Sequence, residues 1–248
     1  MPDLSIVIPA YNEAGRIRQA LAAAADFFGA GSSYELIVVD DGSEDGTSAV
    51  VERWRRELEA AGRPAPVSLL AIPHQGKGAA VRAGVLAASG DLILMSDADC
   101  STPFTEWPRL AAVIANGADL AVGSRQTPGA EIEIHQPWLR QRFGIMFGRL
   151  VRSVFPIGVI DSQCGFKAFR AAAARELFGG LKSRGFTFDV ELLLRARARG
   201  FKVVEVPVHW KNHPDSRVRV WRDWPRVLRE LWLIRRELPS GRERKDPG

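Results

Sequence analysis

The sequence predicts an α/β domain, with a mainly parallel sheet flanked by helices and a less regular back half. Three observations carry this reading. Short apolar, β-branched runs alternate with amphipathic segments at helical spacing. The polar clusters of the front half sit where those runs end. The 248 residues are 46% apolar and 25% charged, ordinary globular usage with room for a large core. That composition excludes disorder, a collagen-like repeat or a coiled coil as a description of the whole.

Leu4–Ile8 is an apolar run closed by Pro9 and reads as a buried strand. Glu13–Phe28 places Ile17, Leu21, Ala24 and Phe28 on one helical face. Glu35–Val39 is the second strand, ended by Asp40-Asp41-Gly42-Ser43. Thr47–Ala61 is a second amphipathic helix, closed by Gly62, and Val67–Ile72 a third strand. Lys77–Ala88 is a helix of small residues suited to close packing on the sheet. Asp91–Met95 is a fourth strand, ended by Ser96-Asp97-Ala98-Asp99. Phe104–Asn116 is helical, and Asp119–Val122 leads a fifth strand into Gly123-Ser124-Arg125. In the back half, Trp138–Phe155 reads as an amphipathic helix and Asp161–Arg170 as a turn with a short strand. Phe188–Arg199 reads as a helix, Lys202–Val208 as a strand, and residues 221–238 as a helix with Trp221, Trp224, Leu228, Leu231 and Leu238 on one side. Open α/β sheets bind ligands at the carboxyl ends of their strands. Pro9–Glu13, Asp40–Ser43, Ser96–Asp99 and Gly123–Arg125 are therefore expected to converge on one crevice.

The net charge of +5 hides an asymmetry. Residues 1–124 hold 9 Lys/Arg and 16 Asp/Glu, a net of −7, whereas residues 125–248 hold 25 and 13, a net of +12. Such a split suggests an anionic partner for the back half. Cys100 and Cys164 lie far apart and read as reduced thiols of a cytosolic protein. Met1-Pro2-Asp3 leads straight into the first strand, so no signal peptide is read. No run reaches the roughly 18 apolar residues of a membrane span. Any membrane contact is expected to be peripheral.

Asp97-Ala98-Asp99 is the strongest chemical signal. Two carboxylates one residue apart at a strand end can meet on one cation, and hard oxygen ligands suit Mg²⁺ or Mn²⁺. Solvated loop acids are the plain alternative. A phosphatase-type nucleophile is a third, although Ser101 stands where that motif carries Thr or Val. Asp40 and Asp41 can read a nucleoside or cap a tight turn, or do both. No G-x-G-x-x-G follows the first strand, which disfavours a dinucleotide enzyme. His74-Gln75-Gly76-Lys77-Gly78 lacks P-loop spacing but can offer Lys77 and helix N-terminal N–H groups to an anion. Arg125, Lys211 and Arg217 are candidate phosphate ligands or solvated surface cations. The four histidines show no metal-ligand spacing.

Together these residues resemble glycosyltransferase family 2 enzymes of the GT-A fold. Within that family the chain is similar to the polyprenyl- and dolichyl-phosphate sugar transferases, especially the dolichyl-phosphate β-glucosyltransferases. The resemblance runs from about Leu4 to Leu238 through IVIPAYNE, VVDDGSEDGT, GKGAAVRAG, SDADCSTPF, VGSR, DSQCGFKAFR and FDVELL. It implies one catalytic domain over 1–238: a nucleotide-sugar half at 1–125, an acceptor-side half at 126–216 and a basic amphipathic helix at 217–238. A flexible tail follows at 239–248. Pro9, Tyr11, Glu13, Val39 and Asp41 are implied to hold the nucleoside, with Lys77 and Ser96 beside them. Asp97, Ala98 and Asp99 are implied to bind the sugar nucleotide, with Asp99 and Asp97 on Mg²⁺ or Mn²⁺. By the same resemblance Arg125 is implied to contact phosphate or sugar, Arg140 and Arg217 the acceptor phosphate, and Lys211 and Arg217 to close over the donor.

The implied reaction is inverting transfer of a hexose, with glucose from UDP-glucose favoured, onto a polyprenyl or dolichyl phosphate. Cys100-Ser101-Thr102-Pro103 departs from the Gln-His-Pro of mannosyl relatives, although GDP-mannose or a soluble acceptor stays an alternative. A lipid phosphate has a second pKa of about 6, so a strong base is unnecessary. Asp161 and Asp189 are the candidates if one is used, against structural roles as turn former and helix-start acid. Residues 217–245 hold ten Lys/Arg and four Asp/Glu, interleaved with Trp221, Trp224 and Trp232. Trp138–Phe155 and Trp221–Leu238 are thus expected to meet the cytoplasmic face of a membrane, unless their apolar stripes face the core. No nucleic-acid signature is present.

Overall fold

The computed structural model describes residues 2–29, 33–63, 66–134, 148–149, 151–211 and 220–237. Nine strands are described: β1 (Leu4–Ala10), β2 (Tyr34–Asp41), β3 (Val67–Ile72), β4 (Leu92–Met95), β5 (Leu120–Ser124), β6 (Glu131–Ile134), β7 (Lys167–Arg170), β8 (Val203–Pro207) and β9 (His209–Lys211). The main helices are α1 (Ile17–Phe28), α2 (Thr47–Ala60), α3 (Lys77–Ala87), α4 (Trp107–Ala115), α5 (Ala171–Gly179), α6 (Phe188–Ala198) and α7 (Val220–Glu237). Seven strands form one sheet in the order β3-β2-β1-β4-β7-β5-β8, parallel except for β7, which runs against both neighbours. This is the α/β sheet the sequence predicts, and the GT-A architecture its resemblance implies.

The reversal of β7 matters for function. Lys167, its first residue, pairs with Met95, the last residue of β4. The segment just before β7 is thereby delivered to the carboxyl edge of the sheet, beside Ser96–Asp99. The sequence pattern of Asp161–Arg170 marks a turn and a strand but carries no sign of strand direction.

Side chains alternate along each strand, so the two faces of the sheet feed separate cores. Ile6, Ile8, Leu36 and Val38 join α1, α2 and α4 on one face. Val7, Ile37 and Val39 join α3, α5 and α6 on the other. Helix α6 is buried from Phe188 to Ala196 without an exposed stripe. Phe188 and Leu192 enter the second core, whereas Val190, Leu193 and Leu194 enter a third with Val151, Phe155, Leu231 and Ile234. A helix between two cores has no solvent face to mark.

Several elements differ from the sequence reading, among them β1, which runs through Pro9 to Ala10, and β6, which the reading does not contain. Helix α1 begins at Ile17 rather than Glu13, because residues 13–16 form a turn tied sideways to the loop after β2 and to α2. There the Glu13 N–H donates to Thr47 Oγ1 and the Ala14 N–H to Asp45 Oδ2. Helix α5 escapes the reading because it is short and alanines make up much of its buried face, so the stripe that ends at Leu177 and Phe178 has weak contrast. The strand read as Lys202–Val208 continues past Val208 into β9, which pairs with β6 in a separate two-stranded sheet.

Candidate active site

The carboxyl ends of β1, β2 and β4 and the start of α3 surround a crevice of about 400 Å³. Pro9, Tyr11, Glu13, Asp41, Lys77, Asp97, Ala98 and Asp99 all line it, so eight of the expected residues meet in one place. His74 and Arg16 add to the same walls, and Phe186, Val227 and Glu230 close it from the back half.

The end of β2 is a self-satisfied turn. Asp40 Oδ1 accepts the Ser43 N–H at 2.9 Å, and the Ser48 hydroxyl donates to Oδ2. Asp41 is 2% exposed, and its two oxygens accept the Gln75 and Gly76 N–H groups, each at 2.8 Å. Asp41 therefore fixes the entry to α3, and with it the height of Lys77. His74 Nδ1 sits 2.9 Å from Asp41 Oδ2, and its ring stacks on Tyr11 with centroids 4.1 Å apart. An aromatic face anchored this way is a suitable platform for a planar base. Val39 lies in the core with Val7, so its side chain does not reach the crevice. Ser96 is also buried, with its N–H donated to the Val7 carbonyl.

The end of β4 is arranged differently. Lys77 Nζ lies 2.7 Å from Asp97 Oδ1. That contact compensates charge, yet Oδ1 is buried and lacks a hydrogen bond of good geometry among the described residues. Burial lowers the Lys77 pKa, but Asp97, Asp189 and Asp99 more than offset it and hold the ammonium above its ordinary value. Gly165, delivered by β7, backs the Asp97 carboxylate. A Cβ at that position would come within 2.0 Å of Oδ2, so only glycine admits the carboxylate. Asp99 Oδ1 accepts the Ser101 N–H at 2.9 Å, while Oδ2 takes no hydrogen bond from the described residues. Cys100 between them adopts a left-handed φ of 50°. Burial, with Asp99 and Asp97 nearby, pushes its thiol up to about 12, so it stays protonated and is no nucleophile.

Arg125 and Asp161 meet each other. The Arg125 Nε and Nη2 donate to Asp161 at 2.7 and 2.8 Å, and its backbone N–H adds a third bond at 2.9 Å. Burial opposes ionisation of Asp161, but Arg125 wins and holds the carboxyl below its ordinary range. The guanidinium also covers the Trp210 ring at 5.5 Å. Asp161 is in this geometry an anchor and a poor proton acceptor. Asp189 is buried against Lys167 at 2.7 Å. Burial pushes its carboxyl up, against the pull of Lys167 and Lys77. Lys211 pairs with Glu133 at 2.9 Å, and its N–H donates to the Ser101 carbonyl, which ties β9 to the loop after β4. Arg140 and Arg217 lie outside the described residues.

Of the two expected membrane segments, residues 138–147 also lie outside the described residues, and residue 238 does too. Val151, Phe155, Leu231 and Ile234 are buried together, so the apolar stripe of α7 is divided. Leu231 and Ile234 face protein, whereas Trp232 is 59% and Leu233 40% exposed. No helix among the described residues is long and apolar enough to cross a membrane. The sequence reading missed His74, Arg16, Phe186 and Glu230 as crevice residues. Gly165 had a signal, its place in DSQCGFKAFR, but Glu230 is one of several acids on a charged helix.

The model of the family described as "Glycosyl transferase family 2" matches residues 5–178. A dolichyl-phosphate β-glucosyltransferase of Trichomonas vaginalis is 38% identical over 229 residues, covering 87% of this chain and 66% of that one. The human dolichyl-phosphate β-glucosyltransferase is 31% identical over 251 residues, covering 96% of this chain and 76% of that one. This chain thus spans about two thirds to three quarters of the length of these relatives. Among solved structures, a glucosyl-3-phosphoglycerate synthase from Mycobacterium tuberculosis with Mn²⁺, UDP-glucose and glycerol 3-phosphate aligns at a TM-score of 0.68. That alignment covers 98% of this chain and 82% of that one at 19% identity, a likeness of fold. The acidic end of β4, the crevice around it and these matches lead to one assignment: the chain belongs to glycosyltransferase family 2, in the group of the dolichyl-phosphate β-glucosyltransferases.

Proposed function

We propose that the protein transfers glucose from UDP-glucose, with inversion, to a dolichyl or related polyprenyl phosphate at a membrane surface. The observation that carries this reading is the end of β4, where one Asp99 carboxylate oxygen takes no hydrogen bond from the described residues, beside the Lys77–Asp97 pair. The donor set suits Mg²⁺ or Mn²⁺: hard carboxylate oxygens at one strand end, one of which takes no hydrogen bond from the described residues. Asp99 and Asp97 would hold such an ion, which supplies positive charge to the diphosphate leaving group. The dolichyl-phosphate β-glucosyltransferase relatives and the Mn²⁺ and UDP-glucose of the aligned synthase support the same choice.

The remaining steps fall to residues of this chain. Tyr11 and His74 offer the stacking face for the base. Lys77 lies at the start of α3, where its charge and the helix N-terminus favour phosphate. Arg125, locked by Asp161 over Trp210, is a fixed cation that would face the sugar or a phosphate. The acceptor phosphate is largely dianionic at neutral pH and attacks the anomeric carbon without a base. Exposed Trp232 and Leu233, flanked by exposed Arg229, Arg235 and Arg236, give α7 a face for an anionic bilayer interface.

Incubation with UDP-glucose, Mg²⁺ and a short polyprenyl phosphate is expected to yield UDP and a glucosyl lipid. Product from GDP-mannose instead of UDP-glucose would overturn the donor assignment. Sugar transfer only to soluble acceptors would overturn the lipid.

A further inference from the structure

Helix α7 has a second face that looks into the molecule. Val227 and Glu230 form part of the crevice wall, one turn away from the exposed Trp232 and Leu233. Glu230 accepts a hydrogen bond from the Thr187 hydroxyl. Thr187 stands at the N-cap of α6, where a threonine ordinarily turns its oxygen to the first N–H groups of its own helix. Here the side chain makes no capping bond and reaches α7. The Glu230 carboxylate also lies against Gly185, where a Cβ would come within 3.0 Å of both its oxygens.

The loop from Lys182 to Thr187 carries this contact to the donor site. The Arg184 carbonyl accepts the Ala79 N–H at 3.2 Å, in the first turn of α3. Gly78 fits against the Ser183 and Gly185 carbonyls, which a Cβ would meet at 2.6 and 3.0 Å. The other end of the loop is pinned to α6, since Glu191 accepts the Ser183 N–H at 2.7 Å. The same turn of α3 holds Lys77 against Asp97. A continuous path of hydrogen bonds and close contacts thus joins the exposed helix to the phosphate end of the crevice.

We infer that Glu230 and Thr187 are positioning residues that couple seating of α7 on an anionic bilayer to the affinity of the donor crevice. The inference rests on the membrane-facing reading of α7. A helix seated on lipid is held at one height, and the Glu230–Thr187 contact passes that constraint to the loop under Gly76–Gly78. The free energy involved is that of about one hydrogen bond, so the effect is about two- to tenfold in affinity.

The test measures UDP binding in the presence of Mn²⁺, with and without vesicles of phosphatidylcholine and phosphatidylglycerol, on the full chain. Vesicles are expected to tighten UDP binding by the wild type about two- to tenfold. Thr187→Val is expected to sediment with vesicles as the wild type does, yet show no tightening. Thr187→Ser, which keeps the hydroxyl, is expected to restore it. The double variant Trp232→Ala, Leu233→Ala is expected to lose both sedimentation and tightening. A wild type that binds vesicles without change in UDP affinity, or a T187V protein that responds fully, overturns the coupling alone. A wild type that ignores vesicles overturns the membrane reading and the coupling with it.

Discussion

The ends of β2 and β4 carry the same kind of sequence, two acids after an apolar strand, and meet different fates. At β2 the four oxygens of Asp40 and Asp41 each take a hydrogen bond, from the turn, from Ser48 in α2 or from the entry to α3. At β4 one oxygen of Asp99 takes no hydrogen bond from the described residues, and Asp97 is matched by charge rather than by backbone donors. The first end builds the scaffold and the second keeps capacity for a ligand. Acidity at a strand end thus marks a region. Whether local N–H groups consume the carboxylates decides the chemistry.

The sharpest way to break this contrast is Asp99→Asn. It is expected to lower turnover about 100-fold or more, as loss of a transition-state electrostatic contact does, and to leave the melting temperature unchanged. A large loss of stability would mean that the β4 end is scaffold too. Asp41→Ala is the opposite case. It strands two N–H groups at the entry to α3 and is expected to cost about 1–3 kcal/mol of stability in denaturant unfolding. Activity should then fall through a raised KM as Lys77 loses its fixed height, and full stability with no turnover would reverse the roles of the two ends.

A smaller effect concerns the third strand end, where Arg125 holds Asp161. The Asp161 carboxyl titrates lower when folded than when unfolded. Its contribution is therefore complete above the unfolded value of about 4 and is lost as pH falls below it. Wild-type stability should drop on acidification through that range. Asp161→Asn should be less stable at neutral pH and flatter in acid. A variant with the wild-type acid slope would remove Asp161 from the account.

Much of this was legible in the chain. The alternation of apolar runs with amphipathic segments gives β1 to β5 and α1 to α4, because a two-residue and a 3.6-residue period are local properties. The crevice residues from Pro9 to Asp99 follow from their place after strands. The rest was hidden for identifiable reasons. Helix α5 is short, with alanines on much of its buried face, and has too little contrast to stand out, whereas α6 is read as Phe188–Arg199 although it is buried on all sides. Val39 and Ser96 belong to the right motifs but point into protein, a matter of which face each residue takes in the sheet. Arg125 and Asp161 are 36 residues apart, and nothing local says that each is the other's partner.

The sequence by itself determined the fold class, the acidic strand ends and the division of charge between the two halves. These depend on composition and short-range order. Tertiary structure alone decided which acids stay available, because saturation depends on distant segments: Gln75 and Gly76 donate to Asp41, whereas Asp97 meets the Lys77 ammonium with Gly165 packed behind it. The direction of β7 and the inward face of α7 were likewise set only by packing, which places Gly165 behind one carboxylate and Glu230 beside the crevice.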